Sequence, residues 1–502
     1  MDASNVGRGT LYIGLMNVTD ALIAFVFYFG VARILPPSDV GLVSMMFFIV
    51  ATFNTFTLLA LNSAVIKYVA QFMGANAVAE ASAVVRKVLK LLLVISLPAF
   101  VLVVVLSPWL SQVLFNGGLS STVLLVVFLS ALLLDFINYF GAIMYGLGLF
   151  GDVAAQNITY YALSRFPALL LAFVGLGVLG VAYGLVIGAS ASVVYSIIRL
   201  RGRLPMSGRD FPSRRLLSFS LPLYASSILV LGQGWIDVLL LYTITGNPTA
   251  VGIYYLVIGG IGVLSMVWTP VTSTLFPAIS HCYGKAGLEG IKRPVSATLR
   301  LLTVIVVPVS VSLAAVAPTA LRVAYGSAYS QGAVAFAILA VSAVFAAYWG
   351  VLSGVLQVLE KTLRVLLIGV IAILINALVI VSTAGTLGSV GAALGRASMA
   401  PITVLMALII LRKTPLNLSI GRDLGAKVLA LSFMLGLPLF ALDNALRAGN
   451  LGPIAVATTD FLVFLLLGSV GLKLLKPLKS EDLAIVEAVL PGRLRTIVHI
   501  LT

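Results

Sequence analysis

The chain holds one cysteine, Cys282, and two histidines, His281 and His499. One thiol can form neither an intramolecular disulfide nor a Cys-rich metal or cluster site, and Cys282 is read as an inert residue near a helix end. Histidines at a helix end and in the C-terminal tail cannot build a Ser-His-Asp or His-metal constellation. Charge is as scarce: 9% of the 502 residues are charged and 61% are hydrophobic, against about 25% charged in a soluble domain. A water-soluble surface cannot be assembled from that. Long polar connections are missing too, since the longest runs only from Arg199 to Arg215. That excludes the sizeable extramembrane loop a membrane glycosyltransferase or ligase needs for its sugar chemistry. No enzymatic activity, cofactor or metal is expected.

What is present is apolar. Runs of about 20 residues, long enough to cross a hydrocarbon core, recur along the whole chain. Leu91 to Val105 shows none of the alternating polarity of a transmembrane barrel, and the many internal Gly and Pro residues are tolerated in helix bundles. The pattern predicts an all-α polytopic membrane protein with fourteen spans, at 10–32, 40–71, 88–115, 119–148, 152–175, 178–200, 217–245, 249–281, 293–325, 330–359, 361–384, 388–412, 424–447 and 452–475. The N-terminus lacks the short apolar core and cleavage site of a signal peptide, so Met1 is read as the mature start.

A net charge of +15 suggests nucleic acid at first, but its placement points elsewhere. All basic residues except Arg33, Arg165, Arg322, Arg396 and Arg447 fall on alternate connections, on one side of the predicted bundle. By the positive-inside rule that side, with both termini, is expected to be cytoplasmic. The excess then belongs to topology and to attraction for anionic membrane lipids, with no nucleic-acid partner.

An internal repeat appears at an offset of 211 residues. Pro37-Ser38-Asp39-Val40-Gly41 matches Pro248-Thr249-Ala250-Val251-Gly252. Gly177, Gly180, Ala182 and Gly184 match Gly388, Gly391, Ala393 and Gly395, and Leu200-Arg201 matches Leu411-Arg412. A constant offset over so long a stretch predicts two parallel six-helix repeats. The expected organisation is an N-terminal lobe at 1–200, a cytoplasmic linker at 201–216 and a C-terminal lobe at 217–412. Two additional helices follow at 424–475, then a tail at 480–502, read as an interfacial amphipathic helix broken by Pro491 or as a disordered segment. Gly259-Gly260-Ile261-Gly262 lies mid-helix, where close packing explains it better than phosphate binding.

The six-plus-six-plus-two arrangement resembles the polysaccharide-unit lipid flippases of the multidrug/oligosaccharidyl-lipid/polysaccharide exporter superfamily. Ala32-Arg33-Ile34-Leu35-Pro36-Pro37-Ser38-Asp39-Val40-Gly41 is similar to that family's first turnaround, and Leu221-Pro222-Leu223 with Asp237 to its seventh helix. Val251-Gly252-Ile253-Tyr254 looks like the start of the eighth helix, and Pro277 falls where the family ends it. Asn376 and Gly388 to Gly395 suit the eleventh and twelfth. The resemblance implies two bundles that rock between inward-open and outward-open states. It implies a saccharide substrate on a polyprenyl or dolichyl phosphate, with the glycan in a central cavity and the tail in the bilayer. Related readings are a cation-coupled multidrug exporter of the same superfamily, using a helix-one acid such as Asp20, and a lipid scramblase or assembly scaffold.

A charge inside a membrane span costs about 2.5 to 3.5 kcal/mol on insertion scales, so each survivor is a functional candidate. Asp20 follows Asn17 on helix one, Asp135 precedes Asn138 on helix four, and Asp237 follows Gln233 on helix seven, each pair sharing a helix face. Arg165 shares a face with Asn157 and Tyr161, and its repeat equivalent is Asn376. Two readings stand. In the first, these arginines and aspartates pair across helices and fix the packing. In the second, Arg165, Arg33 and Arg396 attract phosphate or acidic sugars, while Asp237, Asp20, Asp135 and Asp460 couple or gate the motion with H+ or Na+. Function is favoured for Arg165 and Asp237 and structure for Asp135 and Arg396, with Asp20, Arg33 and Asp460 open. Asn54 and Asn62 are candidates for binding sugar hydroxyls or for interhelical hydrogen bonds. Arg165 is expected to face the central cavity, unpacked and within reach of water.

Overall fold

Backbone groups in hydrocarbon must be satisfied internally, and helices do this within one segment. The computed structural model describes residues 3–115, 117–203, 210–412, 414, 416, 422–449 and 451–477. Among them are fifteen α-helices and no strand. Twelve continuous stretches are long and apolar enough to cross a membrane. Two of these hold two crossings each: Phe150–Leu200 breaks at Gly175 and Gly177, and Pro248–Ala315 breaks at Ala286 and Gly287. The total is the fourteen crossings of a polytopic membrane protein. The tail at 480–502 lies outside the described residues.

The chain packs as two units, Met1–Gly252 and Ile253–Thr502. In the first lie α1 (Ala3–Ile34), α2 (Pro37–Leu58), α3 (Leu61–Gly74), α4 (Val78–Phe115), α5 (Ser121–Gly146), α6 (Phe150–Leu171), α7 (Gly177–Leu200) and α8 (Ser213–Thr245). Helix α9 (Pro248–Ala315) begins there. The second holds the rest of α9, then α10 (Ala317–Ala324), α11 (Ala333–Val358), α12 (Thr362–Leu387), α13 (Ser389–Leu411), α14 (Arg422–Ala448) and α15 (Pro453–Leu475). Although the repeat assigns α8 to the second half, it packs in the first unit, with Phe48 against Trp235 and Phe56 against Tyr224.

Each unit has its own core. In the first, Leu61, Val69, Val84, Val88, Ile143 and Leu216 are buried together. In the second, Ile279, Val295, Leu302, Val351, Leu356 and Ala407 do the same. Large apolar side chains such as Val94, Phe173, Leu374 and Ile454 point outward, as a surface facing lipid requires.

Two expectations change. The span at 40–71 is not one helix: Leu59 (φ 46°) and Ala60 (φ 55°) take left-handed backbone and separate α2 from α3. Neither residue is glycine, so each is strained by about 1–2 kcal/mol. Nor does Pro277 end its helix. Helix α9 continues past it to the break at Ala286 and Gly287, because neighbouring helices can re-satisfy groups freed by proline.

The repeated glycines have matching local roles. Gly177 (φ 53°, ψ −133°) and Gly388 (φ 56°, ψ −126°) share a conformation that side chains disfavour. Gly180 packs on Leu171 and Gly184 on Ala168, closing α7 onto α6. Gly391 on Thr383 and Ala384, and Gly395 on Ile380 and Asn376, close α13 onto α12. These are the close backbone approaches that small residues permit between membrane helices. Within the first unit Gly41 and Gly252 also meet reciprocally: a Cβ on Gly41 would overlap the Pro248 carbonyl, and one on Gly252 the Pro37 carbonyl. In the Gly259 to Gly262 stretch, by contrast, a Cβ added to Gly260 would meet the Phe336 ring at 3.0 Å, while one on Gly262 would meet nothing within 4 Å.

Candidate functional site

Helix α6 carries Tyr160, Tyr161 and Arg165 within two turns, and it packs along α1. The Arg165 guanidinium is enclosed between two rings, 4.4 Å from the centre of Phe27 on α1 and 4.3 Å from that of Phe47 on α2. Phe27 and Phe47 themselves meet edge to face. The residue is 9% exposed, and its Nε and Nη1 reach no hydrogen-bond acceptor among the described residues. Two ring faces stabilise the cation by about 0.5–2 kcal/mol each but accept no hydrogen bond in the usual sense, so donors remain for an anion. The expected open, unpacked side chain is therefore replaced by a stacked one within the first unit.

Asp20 on α1 and Tyr28 share the electrostatic neighbourhood of Tyr161 and Arg165. Asp20 is half-buried, and its Oδ1 is buried without a partner. Asn17, one turn earlier, is exposed. The site thus gathers a guanidinium, a carboxyl and tyrosines on α1 and α6, backed by rings from α1 and α2.

A second polar cluster is fully knit. Asp135 on α5 is completely buried and accepts from Asn54 Nδ2 at 2.6 Å and from Ser96 Oγ at 2.7 Å. The Asn54 amide also donates to the Ala131 carbonyl at 2.8 Å. A side-chain amide has two donors, so Asn54 spends both on α5. Asn138 donates to Leu134 in its own helix and does not join the cluster.

The remaining candidates are dispersed. Arg33, in the last turn of α1, is exposed with its guanidinium over Phe29 at 5.1 Å. Asn62 is half-buried on α3, beyond the break that separates it from Asn54. Asp237 is fully buried on α8, while Gln233 is half-buried. Arg396 is half-buried on α13 in the second unit. Asp460 is buried on α15, also in the second unit. Among the described residues no group of three or more His, Cys, Asp or Glu side chains could hold a metal ion.

Each unit also contains an apolar cavity. That of the first, about 360 Å³, is lined by Phe48, Phe53, Phe56, Leu102, Phe128 and Tyr242 among others. That of the second, about 310 Å³, has Asp460 in its wall. Sequence reasoning did not single out Phe27 and Phe47, because nothing in the spacing of two phenylalanines among 25 marks them as ring partners of a cation. It also passed over Asp443, although its spacing of four from Arg447 is a legible helix ion-pair signal.

The comparisons agree with this architecture. The fold is shared with a structure described as lipid II flippase MurJ in an inward closed conformation, at a TM-score of 0.70 and 15% identity, covering 92% of this chain and 98% of that one. An inward-facing multidrug resistance MATE family transporter of the MOP superfamily aligns at a TM-score of 0.64 and 17% identity, over 79% of this chain and 96% of that one. A MOP superfamily transporter from Pyrococcus furiosus aligns at 0.50 and 18% identity, over 80% and 93%. Among curated proteins none matches the sequence. The family described as "Polysaccharide biosynthesis protein" matches residues 6–282, more than half of the sequence, so the chain belongs to that family.

Proposed function

We propose that the protein flips a lipid-linked oligosaccharide, on a polyprenyl or dolichyl phosphate, across the cytoplasmic membrane by alternating access. The observation that carries this reading is Arg165, a permanently charged guanidinium inside a membrane-spanning helix with two donor nitrogens unsatisfied. Guanidinium donors match phosphate oxygens in pairs, and a buried cation without an acceptor gains most from an anionic ligand. Arg33 and Arg396 add positive potential, and Asn62 offers an amide to sugar hydroxyls. Asp20 and Asp237 serve as coupling acids for H+ or Na+. The 211-residue repeat makes 1–200 and 217–412 the moving lobes, with 424–475 as an accessory pair of helices and both termini cytoplasmic. Membership in a polysaccharide biosynthesis family and a fold shared with a lipid II flippase support the reading.

The test is transport in vesicles. Purified protein reconstituted into liposomes should move a fluorescent lipid-linked glycan between leaflets, and should not extrude a cationic dye. Dye efflux without glycan movement would replace this reading by the multidrug exporter. Neither activity under an imposed ion gradient would leave the assembly scaffold.

A further inference from the structure

In the second unit α14 and α15 pack together and enclose a group of charges. Asp443 on α14 is completely buried, and its Oδ2 accepts from Arg447 Nε at 2.8 Å, while Arg447 also donates to Asn444. Asp460 on α15 is 4% exposed and stands within hydrogen-bonding reach of the Asp443 carboxyl. Three carboxylate oxygens, Asp443 Oδ1 and both of Asp460, are buried and accept no hydrogen bond among the described residues. Two carboxylates therefore share one guanidinium, leaving one uncompensated negative charge in an apolar setting. Two buried like charges in contact disfavour double ionisation, because an apolar setting screens their repulsion poorly.

We propose that Asp443 and Asp460 form a proton-binding pair within the membrane-spanning region, holding one proton between them. The proton, taken from water, sits as an O–H on one carboxyl and is donated to the other. The cluster is then one carboxylate, one carboxylic acid and one guanidinium, with no net charge. Among the described residues the other elements around Asp460 supply no competing charge: Ser312 on α9 and Thr319 on α10 are neutral, and Arg322 on α10 is exposed. The cavity of about 310 Å³ beside Asp460 is also bordered by Ser312 and Thr319, whose hydroxyl oxygens are buried without partners. A cavity with two to four polar groups can hold water, which gives the proton a route. The inference does not depend on the flippase reading, and its test needs no transport.

Infrared difference spectroscopy of the protein in lipid nanodiscs should show the carbonyl band of a protonated carboxylic acid at neutral pH. Asp460→Asn should remove that band and keep the melting temperature, because the amide N–H replaces the O–H as donor to Asp443. Asp443→Asn should melt several degrees lower, since it strips Arg447 of its partner. Absence of the band in the wild type, or its persistence in Asp460→Asn, would overturn the proposal. So would stabilisation by Na+ over choline at constant pH that disappears in Asp460→Asn, which would make the occupant a metal cation. If Asp460→Asn fails to fold, Asp460→Glu decides: a proton pair keeps a carboxylic acid band at a shifted frequency, and an unchanged band rejects the assignment.

Discussion

At the residue scale, Arg165 combines two roles that different substitutions separate. The rings of Phe27 and Phe47 need only a cation, whereas a phosphate also uses paired planar donors. Arg165→Lys should retain part of the glycan transport, and Arg165→Gln should lower it about tenfold or more, a loss of about 1.4 kcal/mol in transition-state stabilisation. Both variants should melt slightly below wild type, because a stacked side chain contributes packing. Normal transport by Arg165→Gln, with only its stability reduced, would make the residue a packing element. Asp135 behaves differently, since its acceptors are filled by Asn54 and Ser96. Asp135→Leu strands both donors and should cost about 1–3 kcal/mol for each group left unsatisfied, read as a lower melting temperature. Arg165 was legible because a charge in an apolar run stands out; its ring partners were not, since contact across three helices leaves no trace in spacing.

At the element scale, the glycine contacts and the charged edge each allow a test. Gly41 faces the Pro248 carbonyl with no room for a methyl group, and backbone cannot move aside as a flexible side chain can. Gly41→Ala should destabilise the protein by about 1–3 kcal/mol, whereas Gly262→Ala, which meets nothing within 4 Å, should be neutral when both are compared by thermal melting. Near the linker, Lys87 on α4 bonds Asp210 at 2.9 Å, and this hydrogen bond holds the Asp210 carboxyl below the usual carboxylate range. A carboxyl lowered in the folded state stabilises above its ordinary value and loses that contribution as pH falls through the lowered one. Asp210→Asn should therefore melt below wild type at neutral pH, with the gap closing as pH falls below the ordinary carboxylate range. A gap of constant size at all pH values would show that the ion pair is not its source. Repeat positions made the glycines readable in advance. The break at Leu59 and Ala60 was not, because two good helix formers carry no stop signal and only surrounding packing holds them left-handed.

At the scale of the whole molecule, the orientation we propose from the alternation of basic loops can be tested directly. Single cysteines at Asn247 and at Arg201, in a background where Cys282 is replaced by Ala, should label from opposite sides of the membrane. Asn247 should react with an impermeant reagent from outside and Arg201 only after permeabilisation. The opposite pattern would invert the orientation derived from charge.

The sequence by itself determined the solvent, the all-helical class and the number of crossings. Hydrocarbon admits only a narrow composition and forces helices, so 61% hydrophobic residues and sparse charges leave few alternatives. It also exposed the repeat, because the backbone conformation shared by Gly177 and Gly388 requires the same residue twice. Tertiary structure decided which charges are satisfied. Asp135, Arg165 and Asp460 look alike in sequence as lone charges in apolar runs, yet one is bonded by an amide and a hydroxyl, one is stacked between rings, and one stands against a second carboxyl. Spacing along one helix cannot tell these apart, because each outcome depends on side chains contributed by other helices, and contact between helices is set by packing in three dimensions.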